Sequence, residues 1–145
     1  MPSPAPNVGV LLFLPYRAME ARVIAALTAA GFEDLTLAQA RVFQRIGPDG
    51  TRLGELAEQA QVTKQTAGFL VDQLERAGYV RRMPDPDDGR ARRVHITARG
   101  AQAQTAAGRV VADVEAEWEQ HLGSRRMAML RDTLVRLREI TDPYA

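Results

Sequence analysis

Apolar positions along the chain repeat at helical spacing at both ends and switch to alternation in one short central segment. From Asn7 the sequence is strongly apolar through Leu11, Leu12, Leu14, Met19, Val23, Ile24 and Leu27, which predicts a first helix capped by Asn7 and closed near Gly31. Pro15 falls inside it. A proline in a helix interior costs about 3 kcal/mol, so a kink near Leu11 to Pro15 is expected, or a helix that begins only at Pro15. A second helix is predicted over Thr36 to Gln44, capped by Thr36, with Ala40 and Phe43 inward. The run Gly47-Pro48-Asp49-Gly50 then breaks the chain, Thr51 to Leu53 reads as a short strand, and Gly54 is the expected cap of a third helix.

The third and fourth helices are short and follow each other closely. Leu56, Ala57 and Ala60 mark the buried side of one, and Val62 plugs the turn. Thr63 caps the next, whose residues Ala67, Leu70, Val71 and Leu74 share one face. Lys64, Gln65, Gly68, Phe69 and Asp72 fall on the opposite, outward face. Gly78 closes this helix, and the period changes. Tyr79 to Met83 reads as extended, Pro84 to Gly89 as a loop carrying Asp85, Asp87 and Asp88, and Ala91 to Ile96 as a returning strand. That strand places Val94 and Ile96 on one side, Arg93 and His95 on the other. Thr97 then caps a long helix, Ala98 to Gln120, with Val110, Val111, Val114 and Trp118. After a turn at Gly123 and Ser124, a last helix over Arg125 to Ile140 carries Met127, Leu130, Leu134, Leu137 and Ile140.

These elements describe a mainly α chain with a small β-hairpin wing, that is, a winged helix-turn-helix. The flanking helices carry more apolar surface than one small core absorbs, so the N- and C-terminal helices are expected to form a dimerisation region. The expected division is a single subunit over residues 1–145, with a winged lobe over 35–97 and helical dimerisation segments over 7–31 and 98–145.

Composition narrows the function. The chain has 145 residues, 46% hydrophobic and 26% charged, which fits one ordinary folded unit. The net charge of +1 does not by itself announce a polyanion partner, but Arg76, Arg81, Arg82, Arg90, Arg92 and Arg93 gather around the predicted wing. With no cysteine, disulfides and thiol chemistry are excluded, and the two histidines, His95 and His121, are too few for a convincing zinc site. No catalytic residue, metal site or cofactor is expected: there is no Ser-His-Asp set and no phosphate-cradling glycine loop. The run Val8 to Leu14 is too short to span a membrane and lacks a basic stretch before it, so a cytoplasmic protein without membrane association is expected.

The wing run Asp88-Gly89-Arg90-Ala91-Arg92-Arg93 fits the D-x-R-x-x-R pattern of the MarR family of bacterial winged-helix transcription regulators, and Val94, Ile96, Thr97 and Gly100 resemble the family's strand end and helix cap. VTKQTAGFLVDQLERAGYVRR is similar to its recognition helix and following strand. Two positions depart: Gln61 stands where the turn often has glycine, and Gly68-Phe69 where small polar and basic residues are usual. The resemblance covers nearly the whole chain. It implies a homodimeric, sequence-specific regulator of transcription, a repressor, on a pseudo-palindromic double-stranded DNA operator.

On that reading Thr63, Lys64, Gln65, Thr66, Gly68 and Phe69 face the major groove. Lys64, the only lysine in the chain, suits a phosphate or a guanine edge, and Gln65 suits adenine. Arg81, Arg90, Arg92 and Arg93 belong to the wing, with Arg90 at its tip, and Asp88 is expected to hold Arg90 or Arg93 by a charge-assisted pair. The resemblance also implies a small-molecule effector, often aromatic or phenolic, bound between dimer helices and DNA-reading lobe, where Phe13, Tyr16, Arg17, Phe32 and Trp118 are the candidates. Two rival readings stand beside this one: a winged helix that binds another protein, and a DNA-binding regulator that answers to no ligand.

Overall fold

The computed structural model describes residues 1–144. Six helices and a three-stranded sheet follow in the order α1 (Val8–Ala29), α2 (Leu37–Phe43), β1 (Thr51–Arg52), α3 (Leu53–Ala60), α4 (Lys64–Arg76), β2 (Val80–Pro84), β3 (Arg92–Ile96), α5 (Ala98–Leu122) and α6 (Ser124–Thr141). The architecture is mainly helical with a small antiparallel wing, a winged helix-turn-helix.

Local capping sets most boundaries. The Asn7 side chain accepts from Val10 N at 2.9 Å, and Thr36 and Gln39 form a reciprocal capping box at the start of α2. Thr63 and Thr97 accept from Thr66 N and Gly100 N. Two expectations are corrected. α1 runs unbroken through Pro15 rather than starting there, because the carbonyl that loses its donor lies on an exposed stretch where water can satisfy it. The start of α3 is capped by no side chain; β1 runs straight into it through extended Arg52, and Gly54 lies inside the first turn.

Between α3 and α4, Gln61 takes the left-handed conformation (φ 57°) that a glycine would adopt freely. Its amide offsets part of that cost, of order 1 kcal/mol, by donating to Glu58 O at 2.6 Å. Gly78 does the same at the end of α4 with φ 85°, while Tyr79 N donates to Leu74 O at 2.9 Å.

Strand order is β1-β3-β2, all antiparallel, with Val80 opposite Ile96 and Arg82 opposite Val94. The core gathers Leu27, Leu35, Val42, Phe43, Leu56, Leu70, Val71, Leu74, Tyr79, Val80 and Val94 beneath the helix-turn-helix and wing. Outside it, α1 packs along α5, with Arg22 paired to Glu117, and α5 packs along α6. The first turns of α1 and much of α6 remain uncovered: Leu11, Phe13, Leu14, Met129, Val135 and Ile140 are exposed, and α6 has no fully buried residue.

Candidate nucleic-acid interface

α4 is anchored by its apolar face, since Ala67, Val71 and Leu74 are wholly buried. The opposite face of the helix is thereby turned outward, and Thr63, Lys64, Gln65, Thr66 and Phe69 are all exposed, with Gly68 partly so beside Leu53. The free N–H groups of the first turn lie beside Lys64, a setting that favours an anion. The stripe ends at Asp72, whose carboxylate binds Arg82 at 2.8 Å.

The wing is held together by a residue that sequence reasoning passed over. Register sets Arg52 of β1 directly opposite Arg93 of β3, a repulsive juxtaposition unless an anion sits between them. Asp85 is that anion. Its buried carboxylate accepts from Arg52 Nε at 2.7 Å and Arg93 Nε at 2.9 Å, and from the backbone N–H of Asp87 at 2.8 Å. Arg52, then Arg93, hold the Asp85 carboxyl far below the usual carboxylate range. The expectation for Asp88 is corrected accordingly. Its carboxylate accepts from the backbone N–H of Arg90, at 3.0 Å, while the Arg93 side chain is taken by Asp85 and, at 3.4 Å, Asp87. Asp88 thus shapes the tip of the loop and pairs with no arginine among the described residues.

The arginines therefore divide into two groups. Arg82 is tied to Asp72 and Glu75, and Arg93 to Asp85. Arg81, Arg90 and Arg92 are exposed and form no ion pair among the described residues, as does Lys64. Lys64 and Arg92 line one hollow between α4 and the wing, Arg90 follows the loop tip, and Arg81 lies opposite His95 on the other side of the sheet.

A second joint ties this lobe to α5. Tyr79, fully buried, donates its hydroxyl to Asp34, and Arg99 lies over its ring at 4.5 Å while donating to Ala77 O. Burial first, then the bond to Asp34, pushes the Tyr79 hydroxyl up to about 12. Phe32 belongs to this joint, its ring 6.1 Å from Tyr79.

A cavity of about 350 Å³ lies between α1, α2 and α5. Its walls are Val23, Ile24, Leu27, Leu35, Phe43 and Val111, and at its edge the Tyr16 hydroxyl donates to Glu20, which holds Arg41 at 3.0 Å. Of the five residues expected in such a pocket, only Tyr16 lines it. Phe13 and Arg17 stack on each other at 5.6 Å on exposed α1, and Trp118 sits farther along α5. Helical spacing could not assign them, because which side of α1 faces α5 is decided by tertiary packing.

Comparison with known proteins agrees with this geometry. The model of the MarR family matches residues 33–91. The HTH-type transcriptional regulator FarR of Neisseria gonorrhoeae is 28% identical over 110 residues, 75% of each chain. A crystal structure of MarR superposes with a TM-score of 0.75 at 25% identity, covering 92% of this chain and 96% of that one. A Mycobacterium tuberculosis MarR family protein, solved in complex with salicylic acid, gives 0.67 at 29% identity over 92% and 98%.

Proposed function

Since the chain belongs to the MarR family of transcriptional regulators, we propose that it binds a pseudo-palindromic double-stranded DNA operator as a two-fold dimer and represses transcription until a small molecule releases it. The observation that carries this reading is the pairing of an outward α4 stripe, Lys64, Gln65 and Phe69, with a wing whose Arg81, Arg90 and Arg92 have no carboxylate partner among the described residues. In the major groove Gln65 matches the paired donor and acceptor of adenine, and Arg90 extends from the wing tip toward the adjacent minor groove. A protein-binding winged helix has no need of unpaired cations around a groove-sized helix.

Dimerisation is supported by the uncovered apolar residues of α1 and α6, which would otherwise remain in water. Two copies related by a two-fold axis present two α4 helices to half-sites centred about 10 base pairs apart. The cavity between α1, α2 and α5 is the proposed effector site. Its apolar walls suit a small aromatic body, and an acidic group on that body would compete with Glu20 for Arg41. The salicylic acid complex of the mycobacterial relative favours this reading over a ligand-independent regulator.

Selection of bound sites from random DNA, followed by titration, tests the proposal. Gln65→Ala should weaken binding to the selected site by about 1 to 3 kcal/mol and leave unrelated DNA nearly unchanged. Charged replacements at Leu134 and Leu137 should convert a sedimenting dimer to monomer and lower DNA affinity with it. A wild-type monomer at micromolar concentration, or a selected site with no two-fold symmetry, would overturn the dimer; equal losses on both DNAs would reassign Gln65 to the backbone.

A further inference from the structure

On the α4 stripe Phe69 stands apart from its neighbours. It is 58% exposed, points away from the core that Leu70 and Val71 join, and makes no aromatic or cation–ring contact among the described residues. It is one helical turn from Gln65, so the two side chains lie one above the other on the same stripe, about 6 Å apart along the axis. Beyond it, Asp72 is held by Arg82 and presents a negative charge that a phosphate backbone would repel. The reading surface of α4 therefore runs from Lys64 to Phe69, and its last member is an apolar ring.

A benzyl group presented to the floor of a major groove meets mostly hydrogen-bonding edges. The apolar feature there is the C5-methyl group of thymine. A partner protein is a poorer match for the ring: its surroundings are Lys64, Gln65, the open N-terminus of α4 and the unpaired wing arginines, all of which favour a polyanion.

We propose that Phe69 is a specificity-determining residue that reads the C5-methyl group of one thymine in each half-site. This rests on the DNA-binding reading above. The geometry also fixes where that thymine lies. A separation of about 6 Å along the helix corresponds to roughly two base-pair steps of 3.4 Å, so the thymine lies within two base pairs of the adenine that Gln65 contacts.

The experiment replaces thymine by uracil, which removes the methyl group and leaves every hydrogen-bonding edge in place. Once a site has been selected with the wild-type protein, each thymine of the half-site is exchanged for uracil in turn and affinity is measured for wild type, Phe69→Ala and Phe69→Leu. One position should weaken wild-type binding about fourfold per half-site, and about fifteenfold when both half-sites are exchanged. Phe69→Ala should bind the thymine and uracil versions of that position equally, whereas Phe69→Leu should keep part of the difference. As Phe69 is exposed, neither variant removes a core contact. A protein that selects a site yet shows no uracil effect at any thymine overturns the role of Phe69 and leaves the DNA-binding reading standing. So does a Phe69→Ala variant that still discriminates. A protein that selects no sequence overturns both.

Discussion

Two glycines in the same helix make opposite predictions, and their difference tests how the winged lobe is seated on α5. A β-carbon at Gly100 would lie 2.2 Å from Tyr79 O, 2.8 Å from Ile96 Cγ2 and 3.3 Å from Phe43 Cε2. The first of these atoms is backbone, and it already accepts from Thr97 N at 3.0 Å, so it cannot move aside without loosening the cap of α5. At Gly108 nothing lies within 4 Å. Replacing an exposed interior glycine by alanine gains up to about 1 kcal/mol of helix propensity. At Gly100 that gain is opposed by overpacking of about 1 to 3 kcal/mol and by a weakened backbone hydrogen bond worth about 1 kcal/mol.

Gly100→Ala should therefore be destabilising by about 1 to 3 kcal/mol and Gly108→Ala stabilising by up to about 1 kcal/mol. For a chain of this size each kcal/mol moves the melting temperature by about 3 °C, so thermal unfolding at one fixed protein concentration should separate the two variants by several degrees. Amide exchange should show where the Gly100 loss falls, with protection reduced at Tyr79 and Thr97 before the middle of α5. A Gly100→Ala protein as stable as Gly108→Ala would refute the close approach of α5 to the Tyr79 backbone.

Three further outcomes follow from the side-chain networks. Asp85→Ala leaves Arg52 and Arg93 facing each other without an anion and should lower the melting temperature severalfold more than Asp88→Ala, which removes one exposed turn contact. Because its folded-state ionisation is held below the usual carboxylate range, the contribution of Asp85 should persist above that range and disappear only as pH falls below it, which acid unfolding of wild type against Asp85→Asn would reveal. Tyr79 behaves in the opposite sense: its raised ionisation stabilises the fold below pH 10.0 and is lost as pH rises toward about 12, so Tyr79→Phe should flatten the alkaline loss and remove the highest step from the tyrosinate absorbance titration.

What could be read in the sequence was what short spans determine. Caps at Asn7, Thr36, Thr63 and Thr97 act over three residues, and the faces of α4 follow from helical period alone, so both are legible without knowing the fold. The wing alternation at Val94 and Ile96 is equally local. Asp85 was hidden because its neighbours are Pro84, Pro86 and Asp87, all turn residues, and only strand register reveals two arginines converging on it. The surroundings of the aromatics were illegible for the same reason. Phe32 follows the end of α1 and faces Tyr79, whereas Tyr16 faces the cavity, and nothing in their spacing distinguishes a ring packed on another ring from one lining a void.

Sorting the arginines also bounds the electrostatics of binding. Sequence counting gathers six near the wing, but Arg82 and Arg93 already have carboxylate partners and Arg76 lies at the far end of α4 from its first turn. In the proposed complex with DNA, that leaves Lys64, Arg81, Arg90 and Arg92 to meet phosphates, four per subunit and eight in the proposed dimer. Each neutralised phosphate contributes about 0.9 to the slope of log affinity against log salt, so the slope should be no steeper than about −7, and Arg90→Ala should flatten it by about two. The bound distinguishes two accounts of the wing. If the Asp85 cluster is a fixed brace, the paired arginines stay paired and the limit holds. A steeper slope in titrations across a salt series would mean that Arg52 or Arg93 leaves Asp85 for the DNA, and the brace would then be a store of cations released on binding.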